Sequence, residues 1–275
     1  MTETFRGRAA IVTGASSGIG RAIARHLADD GVDLCLVAAA HDAADLDGVA
    51  EDIRSAGVRV VSIASDIGEP ETAKRAVAET LAAFGRLDHL ASNAGIAYFE
   101  EVLDSPLEHF DHTMRVNVRG MYLMTQAVGR AMAERAGGTM VCTASTASFA
   151  GEEYQATYNA SKGAVAQLAR SLAIDLAPYG IRVNAVAPGW VDTPPTAEIL
   201  ADETQWSKHR SRIPLDRPAE PSEIANVAAF LLSDASSYMT GSLVVADGGL
   251  TAGYRFSDWE AAPAAAEPRA ARRWP

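Results

Sequence analysis

Tyr158-Asn159-Ala160-Ser161-Lys162 sets a phenol and a primary amine four positions apart. On a helix such residues share a face, so the two groups can meet in one site. A neighbouring ammonium favours phenolate and lowers a tyrosine pKa from ~10 towards neutral pH. Tyr158 can then give a proton to a ketone oxygen or take one from an alcohol. A surface helical pair would read the same way, so the pair needs support from elsewhere in the chain.

That support comes from Thr13-Gly14-Ala15-Ser16-Ser17-Gly18-Ile19-Gly20, which follows an apolar run and opens a helical pattern. Glycines at 14, 18 and 20 allow a tight turn, close approach to a pyrophosphate, and tight packing of helix on strand. The N–H groups of the helix N-terminus then face the anion. A purely structural strand–helix turn would look similar, but this strand–loop–helix context favours nucleotide binding.

The elements that must hold these groups can be read from periodicity. Short apolar runs at Ala9–Thr13, Leu34–Val37, Val58–Ile63, Leu87–Ser92, Thr139–Thr143, Ile181–Val186 and Leu243–Ala246 read as strands. Several are apolar throughout, as expected of strands covered on both faces. Helical patterns lie between them at Ile19–Asp30, Asp45–Ala56, Glu69–Phe84, Leu107–Ala133, Thr157–Ala177 and Pro221–Leu232. Strict alternation with long crossovers implies one doubly wound α/β domain with a parallel sheet of about seven strands and helices on both faces. The domain should span residues 1–250. Within it, the Pro-, Thr- and charge-rich stretch at about 190–220 breaks the periodicity and reads as a lid. Residues 251–275 read as a C-terminal tail, with Ala261–Pro275 mostly Ala, Pro and Arg.

Composition narrows the function class. The chain has 275 residues, 48% hydrophobic and 21% charged, with a net charge of −11. So acidic a surface repels phosphate backbones and argues against a nucleic-acid partner. Two cysteines, Cys35 and Cys142, are too few for a disulfide scaffold and read as small buried hydrophobes. Met1–Arg8 is polar, and no run reaches the ~18 apolar residues of a membrane span. The expectation is a soluble cytoplasmic protein with no membrane partner.

The GxxxGxG spacing and the Tyr158–Lys162 pair together resemble the short-chain dehydrogenase/reductase family, from about Gly7 to Gly249. The resemblance implies a seven-stranded doubly wound sheet, a nicotinamide dinucleotide cofactor, and NAD(P)-dependent hydride transfer between the nicotinamide and a small secondary alcohol or ketone. Tyr158 would handle the proton and Lys162 would tune it while holding the nicotinamide ribose. Ser145, thirteen positions before Tyr158, would polarise the substrate oxygen. Cys142-Thr143-Ala144-Ser145 departs from the family's usual paired serines, which leaves Ser148 as a competitor. Asn117 matches the asparagine that completes a proton relay beside the lysine. For the cofactor, the resemblance implies Gly14, Ser16, Ser17, Gly18, Ile19 and Gly20 at the phosphates. It puts Asp66 and Ile67 at the adenine, Asn93-Ala94-Gly95 alongside, and Pro188, Gly189, Val191 and Thr193 near the nicotinamide. Ser92 stands where the family more often has Asn.

The second strand ends without a selector for either cofactor. Val37 is followed by Ala38 and Ala39, where an acid would mark NAD and a basic residue NADP, and Ser17 replaces the basic loop residue. His41 is the nearest basic group and reads equally as an exposed turn residue beside Asp42. Dual or weakly selective use of NAD(H) and NADP(H) follows. The substrate pocket should be walled by Ala97–Glu101, Thr146–Glu153 and residues 190–214, whose Trp190 and Trp206 could instead pack the lid shut. Glu152 and Glu153 either meet substrate hydroxyls or solvate their loop. The family also implies a homotetramer through Leu107–Ala133, Thr157–Ala177 and the last strand. The small residues Ser161, Gly163, Ala164, Ala166, Ala169 and Ala173 suit either such packing or an intrachain face. A silent dinucleotide-binding regulator is the alternative to an enzyme. An extended-type epimerase or dehydratase would need a GxxGxxG turn and a larger C-terminal domain.

Overall fold

A computed structural model describes residues 5–135 and 137–253; the tail expected over Ala261–Pro275 lies outside them. Seven parallel strands form one sheet in the order β3-β2-β1-β4-β5-β6-β7. They are β1 (Ala9–Thr13), β2 (Asp33–Ala38), β3 (Val60–Ala64), β4 (His89–Ser92), β5 (Gly138–Thr143), β6 (Ile181–Pro188) and β7 (Leu243–Ala246). The doubly wound sheet expected from the alternating pattern is the one observed. Strand order reverses between β1 and β4, where Val12 stands beside Ala91. The loops after Thr13 and Ser92 therefore open side by side at the crevice where such sheets bind ligands.

The continuous apolar strands are explained by two cores. Ile11, Leu90, Met140 and Val183 point to one face. Ala10, Val12, Leu36 and Val186 point to the other. Against the first face lie α3 (Pro70–Phe84), α5 (Met121–Ala133) and α6 (Ala156–Leu176). Against the second lie α1 (Gly18–Asp29), α2 (Ala43–Ser55) and α9 (Pro221–Leu232). Ser161, Ala166, Ala169 and Ala173 of α6 are buried, the last three within the first core. Most of that small-residue stripe is thus an intrachain face. Cys35 and Cys142 are free and buried in β2 and β5, and burial pushes both thiols up to about 12. They behave as small hydrophobes.

Two segments differ from the regular reading. The helix expected over Leu107–Ala133 is interrupted. A helix α4 (Leu107–Thr113) passes into a π-helical turn, Met114–Gly120, before α5 begins. Asn117 sits in that turn, buried and with its side chain fully engaged elsewhere, as described below. The 190–220 stretch is built as a 3₁₀ turn (Pro194–Thr196) and two short helices, α7 (Ala197–Ala201) and α8 (Glu203–Arg210). It carries its own small core of Trp190, Trp206, Ile213 and Leu250. The two indoles meet edge to face at 6.0 Å, and His209 lies 4.2 Å from Trp190. These aromatics pack the stretch against itself, and Trp190 also lines the cleft.

Candidate active site

The loop after β1 is shaped by close approach. Gly14 has φ +66, and a Cβ there would lie 2.9 Å from the Ala94 Cα. A Cβ on Gly20 would lie 2.0 Å from the Gly14 carbonyl oxygen, so any side chain would force α1 off the loop. Thr13 ties the two switch-point loops together: its Oγ1 accepts from the N–H groups of Asn93 and Ala94 at 2.9 and 3.0 Å. Asn93 in turn donates to the Thr13 carbonyl and accepts from Thr143 Oγ1 at 3.0 Å, bridging β1 and β5. Ser17 heads α1 without a side-chain cap, which leaves the first-turn N–H groups facing the cleft. Such a cradle fits a pyrophosphate.

One cleft runs from this loop to Tyr158. Its walls include Gly14, Ser16, Ser17, Gly18, Ile19, Asn93, Ala94, Gly95, Ser145, Tyr158, Lys162, Pro188, Gly189, Val191 and Thr193, all expected from the sequence. Other expected residues stand apart from it. Gly20 serves helix packing. Asp66 holds the Gly68 N–H at 2.8 Å and pairs with Arg115, and neither Asp66 nor Ile67 lines the cleft. Burial alone would raise the Asp66 carboxyl, but Gly68 and Arg115 outweigh it and hold it low. Ala39 is also outside the lining, and His41 is an exposed turn residue 3.5 Å from Asp42.

Asp42 is a residue the sequence reading passed over. It lines the glycine-loop end of the cleft and accepts from Ser16 Oγ at 3.2 Å. The turn Ala40–Asp42 carries it past the end of β2, so its distance in sequence from the usual acid position hid it. Gln155 was also missed, although it stands one helical turn before Tyr158.

At the far end, α6 places Tyr158 and Lys162 on one face beside the end of β5. Lys162 is 4% exposed, and its ammonium donates to the Thr143 carbonyl at 2.7 Å. Burial pushes the Tyr158 phenol up to about 12, outweighing the neighbouring Ser145 hydroxyl, which pulls it down. Burial pushes Lys162 the other way, to about 8. The expectation that the lysine charge would lower the phenol is therefore corrected, because desolvation dominates both groups.

Ser145 and Ser148 have different hydrogen-bond partners. Ser148 Oγ donates to the Lys162 carbonyl at 2.8 Å and accepts from the Ser145 N–H at 3.2 Å, so it braces α6 against β5 and lies outside the cleft lining. Ser145 Oγ accepts from the Ala147 N–H at 3.1 Å, which leaves its own proton for Tyr158 or a substrate oxygen. Asn117 is 1% exposed and grips the loop after β4. Its Oδ1 accepts from the Ile96 N–H at 2.8 Å, and its Nδ2 donates to the Ile96 carbonyl and to Ser161 Oγ, each at 2.9 Å. A Cβ on Gly95 would lie 3.3 Å from both Asn117 Oδ1 and Lys162 Nζ, so these groups flank the same glycine.

A family model described as enoyl-(acyl carrier protein) reductase matches residues 14–251. L-rhamnose 1-dehydrogenase (NAD(P)(+)) of Sphingomonas sp. is 38% identical over 249 residues, covering 90% of this chain and 98% of that protein. Glucose 1-dehydrogenase of Gluconobacter oxydans is 39% identical over 251 residues, covering 90% and 94%. Among solved structures, a putative NAD(P)-dependent gluconate 5-dehydrogenase from Beutenbergia cavernae with NADP bound at low occupancy aligns with a TM-score of 0.85. It is 38% identical and covers 91% of this chain and 99% of its own. With the doubly wound sheet, the glycine loop and the Tyr158–Lys162 pair opening on one cleft, these relationships show that the chain belongs to the short-chain dehydrogenase/reductase family and is an NAD(P)-dependent oxidoreductase acting on CH–OH groups.

Proposed function

We propose that Tyr158 is the proton donor and acceptor for a small-molecule secondary alcohol or ketone, with Ser145 hydrogen-bonded to the reacting oxygen. The observation that carries this reading is the convergence of Ser145, Tyr158 and Lys162 on the cleft that begins at Gly14. A nicotinamide dinucleotide bound along that cleft supplies or takes up the hydride. In reduction the phenol proton passes to the carbonyl oxygen as negative charge develops there, and the Ser145 hydroxyl stabilises the same charge. Lys162, one turn along α6 with its ammonium pushed down to about 8, would share the titrating proton with Tyr158 and would be the residue to hold a bound nicotinamide ribose. Asn117, its side chain held by Ile96 and Ser161, positions the Gly95–Ile96 segment beside Lys162. The test is a panel of secondary alcohols and ketones with both cofactors, read at the reduced-nicotinamide absorbance. Silence across the panel with tight cofactor binding would contradict the reading.

Residues 1–250 form the catalytic domain in this proposal, with the 190–220 stretch as its lid. The active form is a homotetramer, a reading supported by exposed apolar side chains on the expected elements. Leu107 and Phe110 of α4, Tyr122 of α5, Ile174 of α6 and Val245 on the edge strand β7 all face solvent. Light scattering should give about four times 28.9 kDa. The two unpaired, buried cysteines support a cytoplasmic location.

A further inference from the structure

We infer that Glu152 and Gln155 form a hydroxyl-reading wall of the substrate pocket, and that the substrate is a neutral polyhydroxylated alcohol of the aldose or cyclitol class. The inference rests on the assignment of Tyr158 as the proton-transfer group. The pocket beside Tyr158 is lined by Ser145, Thr146, Glu152, Gln155, Phe99 and Trp190.

Glu152 is half-buried in that lining, whereas its neighbour Glu153 is exposed. Loop solvation accounts for Glu153 and leaves Glu152 to be explained. The Glu152 carboxylate accepts from Gln155 Nε2 at 2.9 Å, and Gln155 is itself 6% exposed. An ionised carboxylate offers about four acceptor positions, so one amide donor leaves most of them open towards the pocket. A carboxylate taken out of water is costly without further donors. Substrate hydroxyls are the donors that a pocket beside Tyr158 would receive. Burial pushes the Glu152 carboxyl up, and the Gln155 amide and the Arg212 charge pull it back, so both help keep it an acceptor.

The wall is held in place by its own backbone. Asn159 Nδ2 donates to the Glu152 carbonyl at 2.9 Å. Tyr154 takes a left-handed conformation at φ 59, and its carbonyl accepts from the Glu100 N–H at 2.8 Å. A non-glycine residue held this way is maintained only by its surroundings, and such residues gather at ligand clamps. Phe99 and Trp190 supply apolar faces suited to the C–H face of a ring whose hydroxyls point elsewhere. Among the described residues lining the cleft, the one cationic side chain is Lys162, whose ammonium is held by Thr143. A substrate carboxylate beside Glu152 would meet its like charge, with Arg212, outside the lining, as the cation nearby to offset it, which disfavours sugar acids.

The test compares aldohexoses and myo-inositol with cyclohexanol and D-gluconate, using each cofactor. For the wild-type enzyme, kcat/KM for the best polyhydroxylated probe should exceed that for cyclohexanol by at least ~10²-fold, because a site built to bond hydroxyls rejects analogues that lack them. It should exceed that for D-gluconate as well. Glu152→Leu should shrink the polyol-to-cyclohexanol ratio at least ~10²-fold, chiefly through a raised KM for the polyol. Glu152→Gln, which keeps hydrogen-bonding capacity, should fall between. Cyclohexanol or D-gluconate matching the polyols in the wild type, or a ratio unmoved by Glu152→Leu, would overturn the inference. No turnover of any probe, nor of cyclohexanone in reverse, would instead overturn the assignment of the site and the inference with it.

Discussion

The Lys162 ammonium lies 5.6 Å from the centroid of the Tyr158 ring, one helical turn along the same face of α6. Burial drives their proton affinities apart, the phenol to about 12 and the ammonium to about 8. The first proton to leave the pair therefore leaves near pH 8, and it is shared between two coupled sites. Alcohol oxidation needs the pair one proton short, and ketone reduction needs it complete. Oxidation kcat/KM should rise with pH through about 8 and reduction should fall across the same range. Lys162→Met should erase that inflection, since the phenol alone titrates far higher. A flat wild-type profile from pH 6 to 10 would contradict this.

Asn117 is the fastener of the loop after β4. Asn117→Ala would strip partners from the Ile96 N–H and carbonyl and from Ser161, all beside the cleft. Ser161 Oγ keeps its bond to the Tyr158 carbonyl, and the two Ile96 groups left unpaired cost about 1–3 kcal/mol each, so a total loss of about 2–6 kcal/mol is expected by denaturant unfolding. The cofactor KM should rise as well, because Gly95 belongs to the same segment. Unfolding within 0.5 kcal/mol of wild type, on the scale of an ordinary surface change, would count against the fastening role.

Asp42 and Ser16 meet at the glycine-loop end of the cleft, and a carboxylate there would disfavour a ribose 2′-phosphate. With no acid at Ala38 or Ala39, the resulting preference for NAD should stay below a hundredfold, or ~2.7 kcal/mol. Asp42→Arg should tighten NADP binding at least tenfold relative to NAD in titration calorimetry. An unchanged ratio of dissociation constants would remove Asp42 from cofactor selection.

His89 makes stability depend on pH away from the site. It is 1% exposed in β4, shares a 2.6 Å hydrogen bond between Nδ1 and Thr139 Oγ1, and meets Phe5 edge to face. Burial lowers its pKa to about 3, so it stays neutral in the folded protein while the unfolded chain binds a proton below about 6.5. Its contribution is complete above 6.5 and is lost as pH falls towards 3, at about 1.4 kcal/mol per unit. The melting temperature should drop between pH 7 and pH 5, and His89→Gln should flatten that slope. Equal slopes for the two proteins would refute the assignment.

Much of this was legible in the chain because the signals are local. The run Ala9–Val12 is apolar at every position since both faces are covered, and a Gly20 side chain would collide with Gly14 within the same loop. Tyr158 and Lys162 are neighbours on one helix, so spacing alone joins them. What escaped depends on packing between distant segments. In the π-helical turn, Asn117 reaches Ile96 and Ser161, 21 and 44 residues away. Asp42 became visible only through its bond to Ser16, 26 residues earlier. The phenol pKa was misjudged because spacing reports a nearby charge but not the depth of burial, which proved the larger effect.

The most direct measurement is the paired kinetics and cofactor affinity of Tyr158→Phe, which deletes one hydroxyl and keeps the ring. Turnover in both directions should fall ~10²–10⁴-fold, the usual contribution of a positioned acid or base. The cofactor dissociation constant should stay within about threefold, since loss of more than ~0.7 kcal/mol would mean the hydroxyl mainly serves binding. A variant that turns over within tenfold of wild type would contradict the central role given to Tyr158.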